Sequence, residues 1–410
     1  MRLLFTSFPG YGHLCPLLPL ARAAQRAGHR VAIATSSSCS ALLARAGIDL
    51  LPVGPDWHES SDFDHDLDLP EGDAAPGLSR LLHFLNATVY PRMVPDVLAH
   101  VRAWRPDAIL GNDYEATGRS VAEVEMLPFV AVTHNARLGP VERNNLLARL
   151  GVIARRLCGL PPEPGADYAQ RWLHLNFAPP GYAVDIANAF AEADNEYALR
   201  PSIFDAFEHN DQIFALEALL QAQQRPTVLC TLGTVFNRNP HLLGAIVAAC
   251  ADQPYRVLMT LGPGADSALL GDLPANILAY PHLPLSRIAP LVDACICHGG
   301  TSTLLAIAEH GKPMLILPQG ADQVPNAGAW AHLGLAVALS GDLHLALDAH
   351  SSRRREQTLR DAVQQLLGDA AMRERCAAFR ERVQQLPGLE RAVALLEKLH
   401  LTGMPVLKGR

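Results

Sequence analysis

His298-Gly299-Gly300-Thr301-Ser302-Thr303 is followed by Gly311-Lys312-Pro313, the apolar run Met314-Leu315-Ile316-Leu317, Pro318-Gln319, then Asp322-Gln323 and Asn326-Ala327. As local structure this reads as a strand ending in a glycine turn, a helix opening on small and hydroxyl residues, a second strand, and an acid-amide pair. Adjacent glycines let backbone N–H groups approach an anion with no Cβ in the way, and a helix N-terminus adds roughly half a positive charge. Those are the requirements of a phosphate site. Asp322 and Gln323, just past the next strand, offer the acceptors and donors that sugar hydroxyls need.

The stretch belongs to a longer alternation. In the first half Arg2–Ser7 reads as a strand, Leu14–Ala27 as a helix closed by Gly28, and Arg30–Thr35 and Leu50–Val53 as strands. Leu78–Ala103 follows as a long helix interrupted at Pro91, then the strand Ala108–Gly111, the helix Ala116–Glu125 and the strand Phe129–Thr133. The second half has strands at Thr227–Leu232, Arg256–Thr260, Ile277–Tyr280, Ala294–Cys297, Met314–Leu317 and Ala336–Leu339, with a helix near Pro240–Ala251. Strands alternating with helices predict parallel, doubly wound sheets with functional groups at the carboxyl ends of strands. At 410 residues the chain is long enough for two such domains. The boundaries predicted are 1–205, a linker over 206–224, a second domain over 225–385, and a C-terminal helix within 386–410. Val141–Phe190, rich in proline, shows no clear period.

Apolar residues make up 49% and charged residues 18%, so both halves can fold around cores. The net charge of −7 argues against a nucleic-acid partner and against attraction to anionic lipid. No run approaches the ~18 apolar residues of a membrane span, and Pro9, Gly10, Gly12 and His13 break the N-terminal apolar run too early for a signal peptide. The eight cysteines lack paired spacing, which fits reduced thiols in a cytoplasm. Cys295 and Cys297 share one strand face with no second ligand pair at metal spacing, so they read as core residues. The aspartate-rich run from Asp56 to Asp68 lacks the turn glycine of a calcium loop and reads as a solvated loop.

Ser7-Phe8-Pro9-Gly10-Tyr11-Gly12-His13 closes the first strand and opens a helix. A histidine there is held by the scaffold, and an imidazole with an ordinary pKa of about 6.5 can accept a hydroxyl proton at neutral pH. The structural alternative is a capping histidine. His29, at a strand entry, reads as structural.

Taken together, the His-Gly-Gly turn, the Asp-Gln pair and the Gly-His-x-x-Pro-Leu helix entry resemble the family one glycosyltransferases, and the likeness runs from Arg2 to about Leu339. That resemblance implies the α/β GT-B fold, two Rossmann-like doubly wound parallel-sheet domains facing a central cleft. It implies an inverting transfer of a hexose or deoxyhexose from a UDP or dTDP sugar to a hydroxyl of a hydrophobic small molecule. No metal and no cofactor are expected, the nucleotide sugar being a co-substrate. His13 matches the family's general base, and the aspartate that orients it falls at Asp113, with Asn112 as the alternative alignment. Donor contacts fall on Gly233 and Thr234, on His282 and Leu283, on His298, Gly299, Gly300, Thr301, Ser302 and Thr303, and on Asp322 and Gln323. Phe8, Tyr11, Phe84 and Asn135 are the candidates for acceptor contact. Ala306 stands where UDP-using relatives commonly place a ribose-binding glutamate, which leans the reading toward a dTDP donor. Family members also return their last helix to the first domain, a role open to Leu386–Leu401. A nucleotide-sugar epimerase, a membrane-surface lipid glycosyltransferase and a non-catalytic nucleotide-sugar-binding homologue are the rival readings. The chain is expected to act as a monomer or homodimer.

Overall fold

The computed structural model describes residues 1–56, 82–112, 114–161, 171–183, 193–205, 211–222, 225–233, 239–262, 271–320, 322–340 and 349–409. Two compact units emerge: Met1–Phe204 together with Leu386–Arg410, and Asp205–Gln385.

In the first unit, seven parallel strands lie in the order β3-β2-β1-β4-β5-β6-β7. They are β1 (Arg2–Thr6), β2 (Arg30–Thr35), β3 (Asp49–Pro52), β4 (Ala108–Gly111), β5 (Phe129–Thr133), β6 (Leu173–Asn176) and β7 (Glu196–Ala198). The second unit orders six parallel strands as β10-β9-β8-β11-β12-β13. These are β8 (Thr227–Thr231), β9 (Arg256–Thr260), β10 (Ile277–Tyr280), β11 (Ala294–Cys297), β12 (Met314–Ile316) and β13 (Ala336–Ala338). Central strands such as Leu3-Leu4-Phe5 and Val228-Leu229-Cys230 are fully buried because helices cover both sheet faces. In each unit the strand order reverses beside the first strand, between β1 and β4 and between β8 and β11. Loops leaving those two strand ends diverge to opposite faces and leave a crevice, the usual ligand seat of such sheets.

Four segments differ from expectation. The helix expected at Leu14–Ala27 is a short helix Tyr11–Leu14, a 3-10 turn Cys15–Leu17 and a helix Leu18–Arg26. Pro16 and Pro19 lack the N–H groups that a continuous helix would use. The long helix before β4 carries a wide turn at Leu85–Val89, where the Tyr90 N–H reaches the Leu85 carbonyl just ahead of Pro91. The region without a clear period holds a helix, Pro140–Leu157, and strand β6. Within the stretch expected to link the domains, Asp211–Ala222 is helical and belongs to the second unit. The loop at 57–68 lies outside the described residues.

Candidate functional site

The second unit concentrates its glycines at the β8–β11 crevice. Thr231 and Cys297 are register partners, so Gly233 and His298 leave neighbouring strand ends. The His298 ring fills the space between Gly233 and Gly300. A Cβ on Gly233, whose φ is +81°, would come 2.7 Å from the ring's Cε1 and Nε2, and one on Gly300 would overlap the ring. Gly299, at φ +91°, lies where a Cβ would press on Ile316 and on the backbone of Gln323. Burial drives the His298 pKa down to about 4, against the opposing influence of the Thr231 backbone and the Asp322 carboxylate, so the ring is neutral at pH 7.

The helix Thr301–Ala308 starts beside this ring with Gly300 as its cap, a residue with no side chain to fold over the first N–H groups. Its positive end is therefore available to an anion. Thr301 and Thr303 are mostly buried, and the buried Ser302 hydroxyl has no hydrogen-bond partner among the described residues. Asp322 is exposed at the N-cap of the helix Gln323–His332. Gln323 is 4% exposed, and its side-chain oxygen accepts from the Gln319 N–H at 2.8 Å.

Asn326, to which the sequence reading gave no role, ties these parts together. Its buried amide donates to the Gly299 carbonyl at 2.9 Å and to Asp322 Oδ2 at 3.0 Å. The glycine turn and the exposed carboxylate are thus held by one side chain, three residues past the motif pair. A buried amide spaced within the same helix turn as Asp322 was the available signal. His282 is half-buried and Leu283 is in the core, both just beyond β10. Ala306 is fully buried. Thr234 lies outside the described residues.

In the first unit, Thr6 and Gly111 are register partners, so the segments after β1 and β4 also leave adjacent strand ends. His13 sits on the short helix Tyr11–Leu14, with its N–H on the Gly10 carbonyl at 3.1 Å. Its half-buried ring meets the edge of Phe8, centroids 5.8 Å apart. Phe8 is 6% exposed and also packs on buried Tyr90, at 6.3 Å, so it forms a wall under the histidine. Tyr11 is half-buried, and burial raises its hydroxyl pKa. Phe84 packs partly buried against the same core, and Asn135 is half-buried just past β5. Asp113 lies outside the described residues. Asn112 Oδ1 accepts the Tyr114 N–H at 2.9 Å, which commits its carbonyl to the local turn. Among the described residues no group of three or more His, Cys, Asp or Glu could hold a metal ion, and no helix is long and apolar enough to cross a membrane.

Residues 245–399 match the family described as "Erythromycin biosynthesis protein CIII-like, C-terminal domain". The chain is 25% identical to the 3-alpha-mycarosylerythronolide B desosaminyl transferase of Saccharopolyspora erythraea, over 97% of this chain and 98% of that protein. It is 24% identical to the NDP-glycosyltransferase YjiC of Bacillus subtilis, over 95% of each. Among solved structures, the glycosyltransferase VinC in complex with DTDP superposes with a TM-score of 0.74 at 23% identity, covering 98% of this chain and 100% of that one. The fold is GT-B.

Proposed function

Because the chain belongs to the family one glycosyltransferases of bacterial natural-product type, moving sugars from nucleotide donors to small-molecule aglycones, we propose that it transfers a hexose or deoxyhexose with inversion, using His13 as the general base. The hydroxyl proton of the acceptor passes to the His13 imidazole as the oxygen attacks the anomeric carbon. The bond from that carbon to the diphosphate breaks, and the diphosphate leaves with the electron pair. Its growing charge is met by the open N-terminal turn of Thr301–Ala308 and by the Ser302 hydroxyl. Such preorganised donors do the work a metal does elsewhere. The observation that carries this reading is that Gly233 and His298–Gly300 converge at the β8–β11 reversal while His13 occupies the same position, the end of the first strand, in the other sheet.

Two finer assignments have support. The commitment of Asn112 to the Tyr114 N–H favours Asp113 as the group that orients His13. Ala306 is fully buried and offers no acceptor to a ribose 2′-hydroxyl, which favours a dTDP sugar over a UDP sugar.

Mass spectrometry of products from a matrix of UDP and dTDP sugars against phenolic and polyketide acceptors identifies the substrates. In the productive pair, His13→Ala is expected to lower turnover by about 10²- to 10⁴-fold with calorimetric affinity for the nucleoside diphosphate unchanged. Unaltered turnover removes His13 from the mechanism. Isomerised sugar formed from donor alone would instead make the protein an epimerase.

A further inference from the structure

The 3-10 turn that follows the short helix of His13 is incomplete by its own backbone. In the 3-10 turn Cys15–Leu17 the Leu18 N–H closes on the Cys15 carbonyl. The equivalent partner for the Pro16 carbonyl, three residues on, is Pro19, which has no N–H to give. A carbonyl orphaned at such a position needs a donor from elsewhere.

His134 supplies it. The residue follows β5 directly, is 4% exposed, and its ring bonds the Pro16 backbone. The same ring stacks on Phe177, the first residue after β6, with centroids 5.0 Å apart and planes within 6°. Phe177 is itself fixed, since its N–H donates to the Thr133 carbonyl at 2.7 Å. Next to it, the Thr133 hydroxyl meets His174 Nε2 at 2.7 Å, and Asn176 donates to Glu196 at 2.6 Å, which locks the ends of β5, β6 and β7. Burial holds the His134 pKa down to about 3, so this imidazole is a neutral donor at neutral pH.

We infer that His134 is a positioning residue: clamped on Phe177, it fixes the Pro16 carbonyl and through it the turn that presents His13. The inference rests on His13 as the base, and it assigns work to a histidine that the sequence reading passed over. An imidazole in this role shapes the base without touching the reacting atoms.

The test is nuclear magnetic resonance of the full chain labelled with [¹³Cε1]histidine, the His13 signal being identified by its loss in His13→Ala. In His134→Phe, which keeps an aromatic ring on Phe177 but removes the N–H, the His13 signal is expected to move. The His298 signal, from the other unit, is expected to stay. Turnover of the productive pair falls about 10- to 100-fold, as small misplacements of a catalytic group do, with nucleoside diphosphate affinity unchanged. Adding Pro19→Ala, which offers the Pro16 carbonyl a backbone donor, returns the His13 signal toward its original position. A folded His134→Phe protein whose His13 signal coincides with that of the unaltered chain overturns the inference, as does a Pro19→Ala addition without any return. If His134→Phe does not fold, Phe177→Leu replaces it and is read by the same two outcomes. Retained turnover in His13→Ala would defeat the base assignment alone, because the resonance test reports on position whatever His13 does.

Discussion

Gly233 shows how much a single missing side chain decides. Its φ of +81° disfavours any residue with a Cβ, and that Cβ would meet the His298 ring at 2.7 Å. Gly233→Ala must therefore either rotate the peptide that follows β8 or push the imidazole out of its slot. Either response is expected to cost about 1–3 kcal/mol of stability and to weaken nucleoside diphosphate binding by at least about tenfold. A displaced ring regains solvent, so its pKa climbs from about 4 toward the ordinary histidine value, which histidine titration by nuclear magnetic resonance reads directly. Gly28 is the matched control. It has a similar φ of +88° but open space where its Cβ would go, and it lies in the first unit. Gly28→Ala should lose a comparable amount of stability and no affinity, and equal losses of affinity in the two variants would refute the account of Gly233. The turn His298-Gly299-Gly300 was legible from its place between a strand and a helix, and Gly233 through the family resemblance. Asn326 was not readable, since its partners, the Gly299 carbonyl and Asp322, become neighbours only when β11 and the helix after β12 pack together.

The helices that follow β4 and β11 occupy equivalent places in the two sheets and are capped in opposite ways. Ahead of Ala116–Val124, the buried Glu115 carboxylate accepts the N–H groups of Thr117 at 2.6 Å and Gly118 at 2.9 Å. Ahead of Thr301–Ala308, Gly300 bonds nothing with a side chain. The first unit thus carries its own carboxylate where the second leaves a seat for an anion, and the expected consequence is a single nucleotide per chain. Calorimetric titration with dTDP is expected to saturate at one equivalent. Glu115→Ala should lose about 1–2 kcal/mol of stability, as other capping side chains do, with dTDP affinity unaltered. Two equivalents bound by the unaltered chain would contradict this. The sequence announces both helices and eleven of the strands through continuous apolar runs or clear starts. It conceals β6 and β7, because His174, Asn176 and Glu196 are polar residues buried in a mutual network and break the apolar signal. The helix Pro140–Leu157 is hidden by its arginines, of which Arg155 is buried in an ion pair with Glu123. Pairings of that kind have no local signature.

The last segment of the chain belongs to the unit it is farther from in sequence. Leu389–Thr402 follows directly on the second unit, yet it packs on the helix Leu18–Arg26 and on β6 of the first. Ala392, Val393, Leu395, Leu396 and Leu399 are buried there. Backbone bonds from Arg200 to Pro387 at 2.8 Å, from Val406 to Trp172 at 2.9 Å and from Lys408 to Asp194 at 2.7 Å secure its two ends. His29 adds a contact to Glu397 at 3.2 Å, at the entry to β2. Full burial of Leu395, Leu396 and Leu399 is worth about 1.5–3 kcal/mol apiece, a large share of the stability of an ordinary domain. A chain ending at Gln385 should therefore weaken the first unit and spare the second, although the cut adjoins the second. Amide hydrogen exchange is expected to accelerate in β1, β6 and Leu18–Arg26, with β8 and β11 as protected as before. The helix Leu18–Arg26 continues the turn that follows His13, so turnover should fall while the shortened chain still binds dTDP with undiminished affinity. Loss of dTDP binding together with faster exchange in β8 and β11 would mean that the terminal helix supports the second unit instead, and the two-unit division would have to be redrawn.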